Sequence, residues 1–219
     1  MGKAPDGPSG PVSGKVGNHV YYTVNGESFV RSTPGKRTGK KTKKEKNNTS
    51  GFTKVQAFLK PLKDLLKVGY KDYGTKTGGY RGAVSYALKN ALRGEFPDRY
   101  VDPALVRVCG GELHFPLNTE IVLEAGNVLR FNWSPETGDN GNPYDQVFML
   151  AYALPDEKRR LGTKVGVSTG ALRMSGTDSL QLSARKEAVE YHVYMGFIAK
   201  DRSCQSHSQY MGTVLVPAK

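Results

Sequence analysis

The sequence predicts an α+β protein: an N-terminal β-hairpin and two helices, then a C-terminal antiparallel β-sandwich similar to immunoglobulin or fibronectin type III modules. Three observations predict it. Asn25-Gly26 divides two β-rich runs, apolar residues recur at helical spacing across 50–69 and 80–92, and from about residue 104 the pattern changes to period two. The composition agrees. Of 219 residues, 37% are hydrophobic and 10% aromatic, which argues against a disordered chain. No apolar run approaches the ~18 residues of a membrane span. Two cysteines are too few for a disulfide-built miniature fold.

Each element follows in chain order. A lead-in holding Gly7, Pro8, Gly10, Pro11 and Gly14 predicts an extended arm. Val20, Tyr22 and Val24 alternate with Tyr21 and Thr23, and Glu27-Ser28-Phe29-Val30 follows the Asn-Gly pair. Asn-Gly supplies the positive φ angles that a two-residue hairpin turn needs. Residues 35–46 carry seven positive charges, one negative and no apolar side chain, so nothing there can pack and a flexible loop is expected. Over 50–69, Phe52, Val55, Phe58, Leu59, Leu62, Leu65 and Leu66 form one helical face. Ser50 is the expected N-cap, and Pro61 should kink or split this helix. Lys60, Lys63, Lys67 and Lys71 fall on the opposite side. After a connector rich in Gly and Tyr, a second helix runs from Tyr80 to Leu92 and ends at Arg93-Gly94. The expected strands are Leu105–Cys109, Val128–Trp133, Gln146–Ala153, Thr163–Ser168, Asp178–Ser183, Val189–Ala199 and Gln209–Val216, with Trp133 in the core. The segments are therefore 1–34 (arm and hairpin), 35–50 (Lys-rich flexible loop), 51–100 (helices) and 101–219 (sandwich).

Charge is distributed unevenly. Residues 1–100 carry 20 basic and 7 acidic side chains, whereas residues 101–219 carry 12 and 13. A cationic half attracts polyanions such as nucleic acid. The residues spaced to follow a phosphate backbone are Lys36, Arg37, Lys40, Lys41, Lys43, Lys44 and Lys46, extended by Lys60, Lys63 and Lys67. Tyr70, Tyr73 and Tyr80 offer stacking faces. Lysine outnumbers arginine among them, which favours point-charge contact over bidentate base reading, and so binding without sequence specificity.

Three segments carry a family resemblance. Gly14-Lys15-Val16-Gly17-Asn18 with Val30-Arg31-Ser32 closes the hairpin, Ala83-Val84-Ser85-Tyr86-Ala87-Leu88-Lys89-Asn90-Ala91 lies on the second helix, and Tyr210-Met211-Gly212-Thr213-Val214-Leu215-Val216 is the last strand. In order and spacing these resemble a Bacteroidetes family catalogued as domain-of-unknown-function family 6266. Its members carry a Gln/Arg-rich stretch between hairpin and first helix, and here that stretch is Lys-rich. The resemblance implies a bacterial, non-enzymatic protein and transfers no catalytic residue.

Chemistry-bearing motifs are sparse. Gly35-Lys36-Arg37-Thr38-Gly39-Lys40-Lys41-Thr42 has one residue too few between its glycines for a P-loop. No Gly-x-Gly-x-x-Gly follows a strand, and no Gly-x-Ser-x-Gly elbow occurs. Asp139-Asn140-Gly141-Asn142 lacks the later bidentate Glu of a calcium loop. Cys109, His114, Cys204 and His207 could supply four zinc ligands, though a core cysteine and surface histidines explain them better. The expectation is thus a non-catalytic protein without cofactor or metal, binding nucleic acid or another polyanion. Self-assembly by strand or arm exchange, as in a bacterial or phage-related subunit, is the alternative, and a zinc-dependent or cysteine-based enzyme the minor one. The N-terminus has no apolar signal-peptide core, which predicts a cytoplasmic location, alone or within a larger assembly.

Overall fold

A computed structural model describes residues 2–3, 13–24, 26–36, 38–71, 78–155, 162–183 and 185–219. The chain falls into two units, Met1–Lys41 and Thr42–Lys219.

The first unit is a small antiparallel sheet of β1 (Gly2–Lys3), β2 (Gly14–Val16), β3 (His19–Val24) and β4 (Glu27–Ser32), in the order β1-β4-β3-β2. The expected hairpin is β3–β4, with His19 opposite Ser32 and Val24 opposite Glu27. Gly26 takes the turn at φ +82°, a conformation that costs a glycine little. Asn25 lies outside the described residues, as do Gly7, Pro8, Gly10 and Pro11 of the arm, while Gly14 opens β2. The register sets Tyr22 opposite Phe29, and their rings stack at 5.7 Å between centroids. Not one described side chain of this unit is buried.

The second unit opens with α1 (Lys43–Leu59), which starts inside the stretch 35–50 where a loop was expected, and before Ser50. The reason is local. Thr42 Oγ1 accepts from the Glu45 amide (3.2 Å), and the Glu45 carboxylate accepts from the Thr42 amide (2.7 Å), a reciprocal cap that satisfies two amides of the first turn. Pro61 splits the helical run as expected, through a 3-10 turn over Lys60–Leu62 into α2 (Lys63–Gly69). Gly69 is required there. A Cβ at this position would lie 2.2 Å from the Val108 carbonyl oxygen. The connector is undescribed over 72–77, and α3 (Gly79–Asn90) follows it. A two-residue ribbon, β5 (Leu92–Arg93) with β6 (Tyr100–Val101), then turns the chain.

The strands are β7 (Thr119–Glu124), β8 (Val128–Trp133), β9 (Gln146–Ala153), β10 (Thr163–Val167), β11 (Thr177–Gln181), β12 (Val189–Ile198) and β13 (Gln209–Val216). They form two antiparallel sheets, ordered β11-β8-β7 and β10-β9-β12-β13. The strand expected over Leu105–Cys109 does not form, and β7 replaces it as the first of the series. Asp102 caps a 3-10 turn over Pro103–Leu105. Beyond it the Val108 amide donates to Ser208 Oγ and the Gly110 amide to the Gly69 carbonyl, so these bonds go to a hydroxyl and a helix end instead of a ladder.

Two cores lie on the two faces of the four-stranded sheet. Val147, Met149 and Ala151 of β9 and Tyr191, Val193, Met195 and Phe197 of β12 face the three-stranded sheet, meeting Leu129, Phe131 and Trp133. Phe148, Leu150, Tyr152, Tyr194 and Ile198 face the helices, meeting Val55, Phe58, Leu59, Leu62 and Leu66. The helices therefore share a core with the sheet within one unit, and the expected boundary at residue 100 divides a single packed layer from the sheet it covers. This part of the chain is an α+β arrangement of three layers. Among the described residues no helix is long and apolar enough to cross a membrane.

Candidate polyanion-binding surface and loop-end cleft

The helix layer is cationic. Residues 42–90 carry eleven basic and three acidic side chains, whereas residues 91–219 carry fourteen and fifteen. The lysines singled out by sequence occupy solvent positions along it. Lys43, Lys44 and Lys46 lie in the first turn of α1, Lys60 in the 3-10 turn, and Lys63 and Lys67 on α2. All six are exposed, and none is in an ion pair among the described residues. Lys46 and Lys60 are about 20 Å apart along the helix axis, a reach that spans several phosphates. Lys36, Lys40 and Lys41 are exposed residues of the first unit, and Arg37 lies outside the described residues.

The tyrosines expected to stack bases do something else. Tyr70 is 1% exposed in the helix–sheet core, and its hydroxyl donates to the Arg107 carbonyl at 3.1 Å. Tyr80 is half-buried, its hydroxyl 2.7 Å from Gln56 Oε1. Tyr73 lies outside the described residues.

The possible zinc ligands do not gather. Cys109 is fully buried in the helix–sheet core, and burial pushes its thiol far above the usual range. Cys204 packs at the margin of the other core, and His207 Nδ1 lies 3.5 Å from the Gly111 amide. Among the described residues, no three His, Cys, Asp or Glu side chains are grouped to hold a metal.

At one end of the sheets a buried ion pair collects the loops. Arg173 is 0% exposed, its Nε 3.3 Å from Asp145 Oδ2. Its two terminal nitrogens donate to the carbonyls of Glu136 and His114, and its guanidinium lies 4.1 Å from the centre of the Phe197 ring. Asp145 accepts in addition from the amides of Asn142 and Lys200. Trp133 Nε1 donates to the Arg173 carbonyl. Burial lowers the pKa of Arg173 and the Asp145 carboxylate raises it again, so the charge is kept by its partner. This cluster joins the segments around residues 114, 136, 145, 173 and 200, and sequence reading does not find it.

A cleft of about 400 Å³ opens beside the pair, between the β8–β9 and β12–β13 loops, with Asp139, Asn142, Lys200, Asp201 and Ser203 among its walls. Its polar groups are largely committed to the fold. Asn140 bonds the His114 amide and the Glu112 carbonyl, Asn142 Oδ1 accepts from Tyr144, and Asp201 accepts from Ser203.

A second polar cluster borders the helix layer on the outer face of β12. His192 Nδ1 lies 2.9 Å from the Tyr210 hydroxyl. Burial lowers the pKa of His192, while Glu190 and Asp102 pull it upward.

No curated protein and no solved structure matches this chain. One family model does, over residues 11–212, a span reaching from the hairpin unit through the helices into the last strand. That span covers most of both units, and the chain belongs to the family of unknown function DUF6266.

Proposed function

We propose that this is a non-catalytic binding protein whose helix layer holds a polyanion, nucleic acid foremost, by its phosphates and without reading sequence. The observation that carries the reading is the set of six exposed lysines on a layer with a balance of +8 over residues 42–90. A lysine ammonium is a point charge on a flexible stem, suited to phosphate and indifferent to base identity. The loop-end cleft supports a non-catalytic reading, because Asn140, Asn142, Asp145 and Asp201 in its walls are engaged in holding loops. The test is a salt titration of duplex DNA binding. Each lysine that neutralises a phosphate contributes about 0.9 to the log–log slope. Changing Lys43, Lys44 and Lys46 to Gln should therefore flatten the slope by about 2–3. An unchanged slope would remove these lysines from the interface.

The strand order supports a sandwich of the immunoglobulin or fibronectin type. Seven strands in sequence, β7 to β13, divide into the first, second and fifth against the fourth, third, sixth and seventh. That differs from the constant immunoglobulin arrangement only in the sheet to which the fourth strand attaches.

Assembly through strand addition is the second reading, favoured by β13. It is an eight-residue edge strand carrying Leu215 at 64% exposure. Light scattering over a range of concentrations should then show a mass rising above 23.9 kDa, and a constant monomer mass would exclude it.

A further inference from the structure

At the loop end, away from the cationic layer, we infer that Asn140 is a deamidation site whose reaction is gated by opening of the β8–β9 loop and makes that opening permanent.

An asparagine followed by glycine is chemically labile. The glycine main-chain nitrogen loses its proton and attacks the side-chain carbonyl carbon. A carbon–nitrogen bond closes a five-membered succinimide, and ammonia leaves. Water then opens the ring at either carbonyl, leaving aspartate or its β-linked isomer. Base and water are the only co-reactants. Glycine is the least hindered successor, so Asn140-Gly141 is the labile pair of this loop. Asn142 precedes Pro143, which has no amide proton to give up.

The fold holds the pair unreactive. The Gly141 amide donates to the Thr137 carbonyl at 2.9 Å, so the proton that must leave is bonded. The Asn140 carboxamide is held at both ends by a separate segment. Its Oδ1 accepts from the His114 amide at 2.8 Å, and its Nδ2 donates to the Glu112 carbonyl at 2.7 Å. Turning the carboxamide carbon onto the Gly141 nitrogen breaks both bonds. The turn itself demands the glycine, because a Cβ at 141 would lie 2.2 Å from the Thr137 oxygen. Arg173 braces the same two segments from the buried side, donating to the carbonyls of His114 and Glu136. Asn140 is nonetheless exposed, so water and base reach it once its bonds part. The reaction therefore follows the small fraction of molecules that are locally open. Neither product carries a nitrogen donor for the Glu112 carbonyl, and both add a negative charge next to Asp139. A transient opening is thereby retained.

The experiment ages the full chain in warm, mildly alkaline buffer, folded and in urea, and follows residue 140 by tryptic peptide mass. Folded protein should convert Asn140 measurably, but at least about tenfold more slowly than unfolded protein. Equal rates would overturn the gate, and no conversion in the folded state would overturn the site. Hydrogen exchange over residues 112–114 reads the consequence. Exchange there should be faster in aged than in fresh protein. Ageing should leave it unchanged in Asn140→Gln, whose longer side chain does not close the five-membered ring. Identical exchange in fresh and aged protein would overturn the retained opening, as would an acceleration that Asn140→Gln shared. If Asn140→Gln did not fold, ion-exchange fractions of aged wild-type protein, assigned by peptide mass, would decide by the same comparison.

Discussion

Asp145→Ala should destabilise the protein by about 3–5 kcal/mol, one of the two largest effects expected here. The substitution strands the Arg173 guanidinium at 0% exposure, with its Nε left facing a cavity. The Asn142 and Lys200 amides lose their acceptor at the same time. Urea unfolding followed by circular dichroism measures the loss. The double change Asp145→Leu, Arg173→Met separates two explanations. Removing both charges removes the desolvation cost along with the attraction, so the double variant should recover much of the lost stability. A double variant no better than Asp145→Ala would mean that the carbonyl contacts to Glu136 and His114 matter more than the charge.

Phe58→Ala should cost about 3–5 kcal/mol as well, for a different reason. Phe58 is 6% exposed and packs edge-to-face on Tyr152, with ring centroids 5.3 Å apart. The Tyr152 hydroxyl donates to the Phe58 carbonyl, and burial pushes that phenol up to about 12. The cavity would open at the junction of helix and sheet. Because both contribute to one core, helical and strand signals in circular dichroism should lose stability together, in a single transition. A variant whose helices melted first while the strands held would show that the helix layer is an appendage of the sheets.

Much of this architecture was legible in local pattern. The strands β9 and β13 begin and end where the period-two reading puts them, and Pro61 interrupts the helix where its ring and missing amide predict. The start of α1 was legible too, since Thr42-Lys43-Lys44-Glu45 is a Thr-x-x-Glu capping pattern. Its first turn is lysine-rich and has no apolar face, so hydrophobic periodicity alone does not mark it. The union of helices and sheet also left a trace. Phe148 to Ala153 and Val193 to Ile198 are apolar without a break, whereas a strand with one face in solvent alternates.

The candidate sites divide along the same line. Exposed lysines follow from charge and the absence of apolar neighbours, and they lie in solvent as expected. A Gly/Tyr-rich connector reads as surface, whereas at Tyr70 the chain turns back into the core. The Tyr22–Phe29 pair could have been found by counting outward from the Asn-Gly turn. Arg173 could not, because an arginine is buried only where distant segments converge to satisfy its five donors. Three such segments, near residues 114, 136 and 145, are brought to it by the fold alone.

The double-sided covering of β9 and β12 has a consequence for how the molecule opens. Their amides are shielded from solvent above and below, and laterally by a strand on either side. Deuterium should therefore enter these two strands last, and only when the entire second unit comes apart. Their exchange rate is a direct gauge of that unit's global stability, with the edges β10 and β13 labelling sooner.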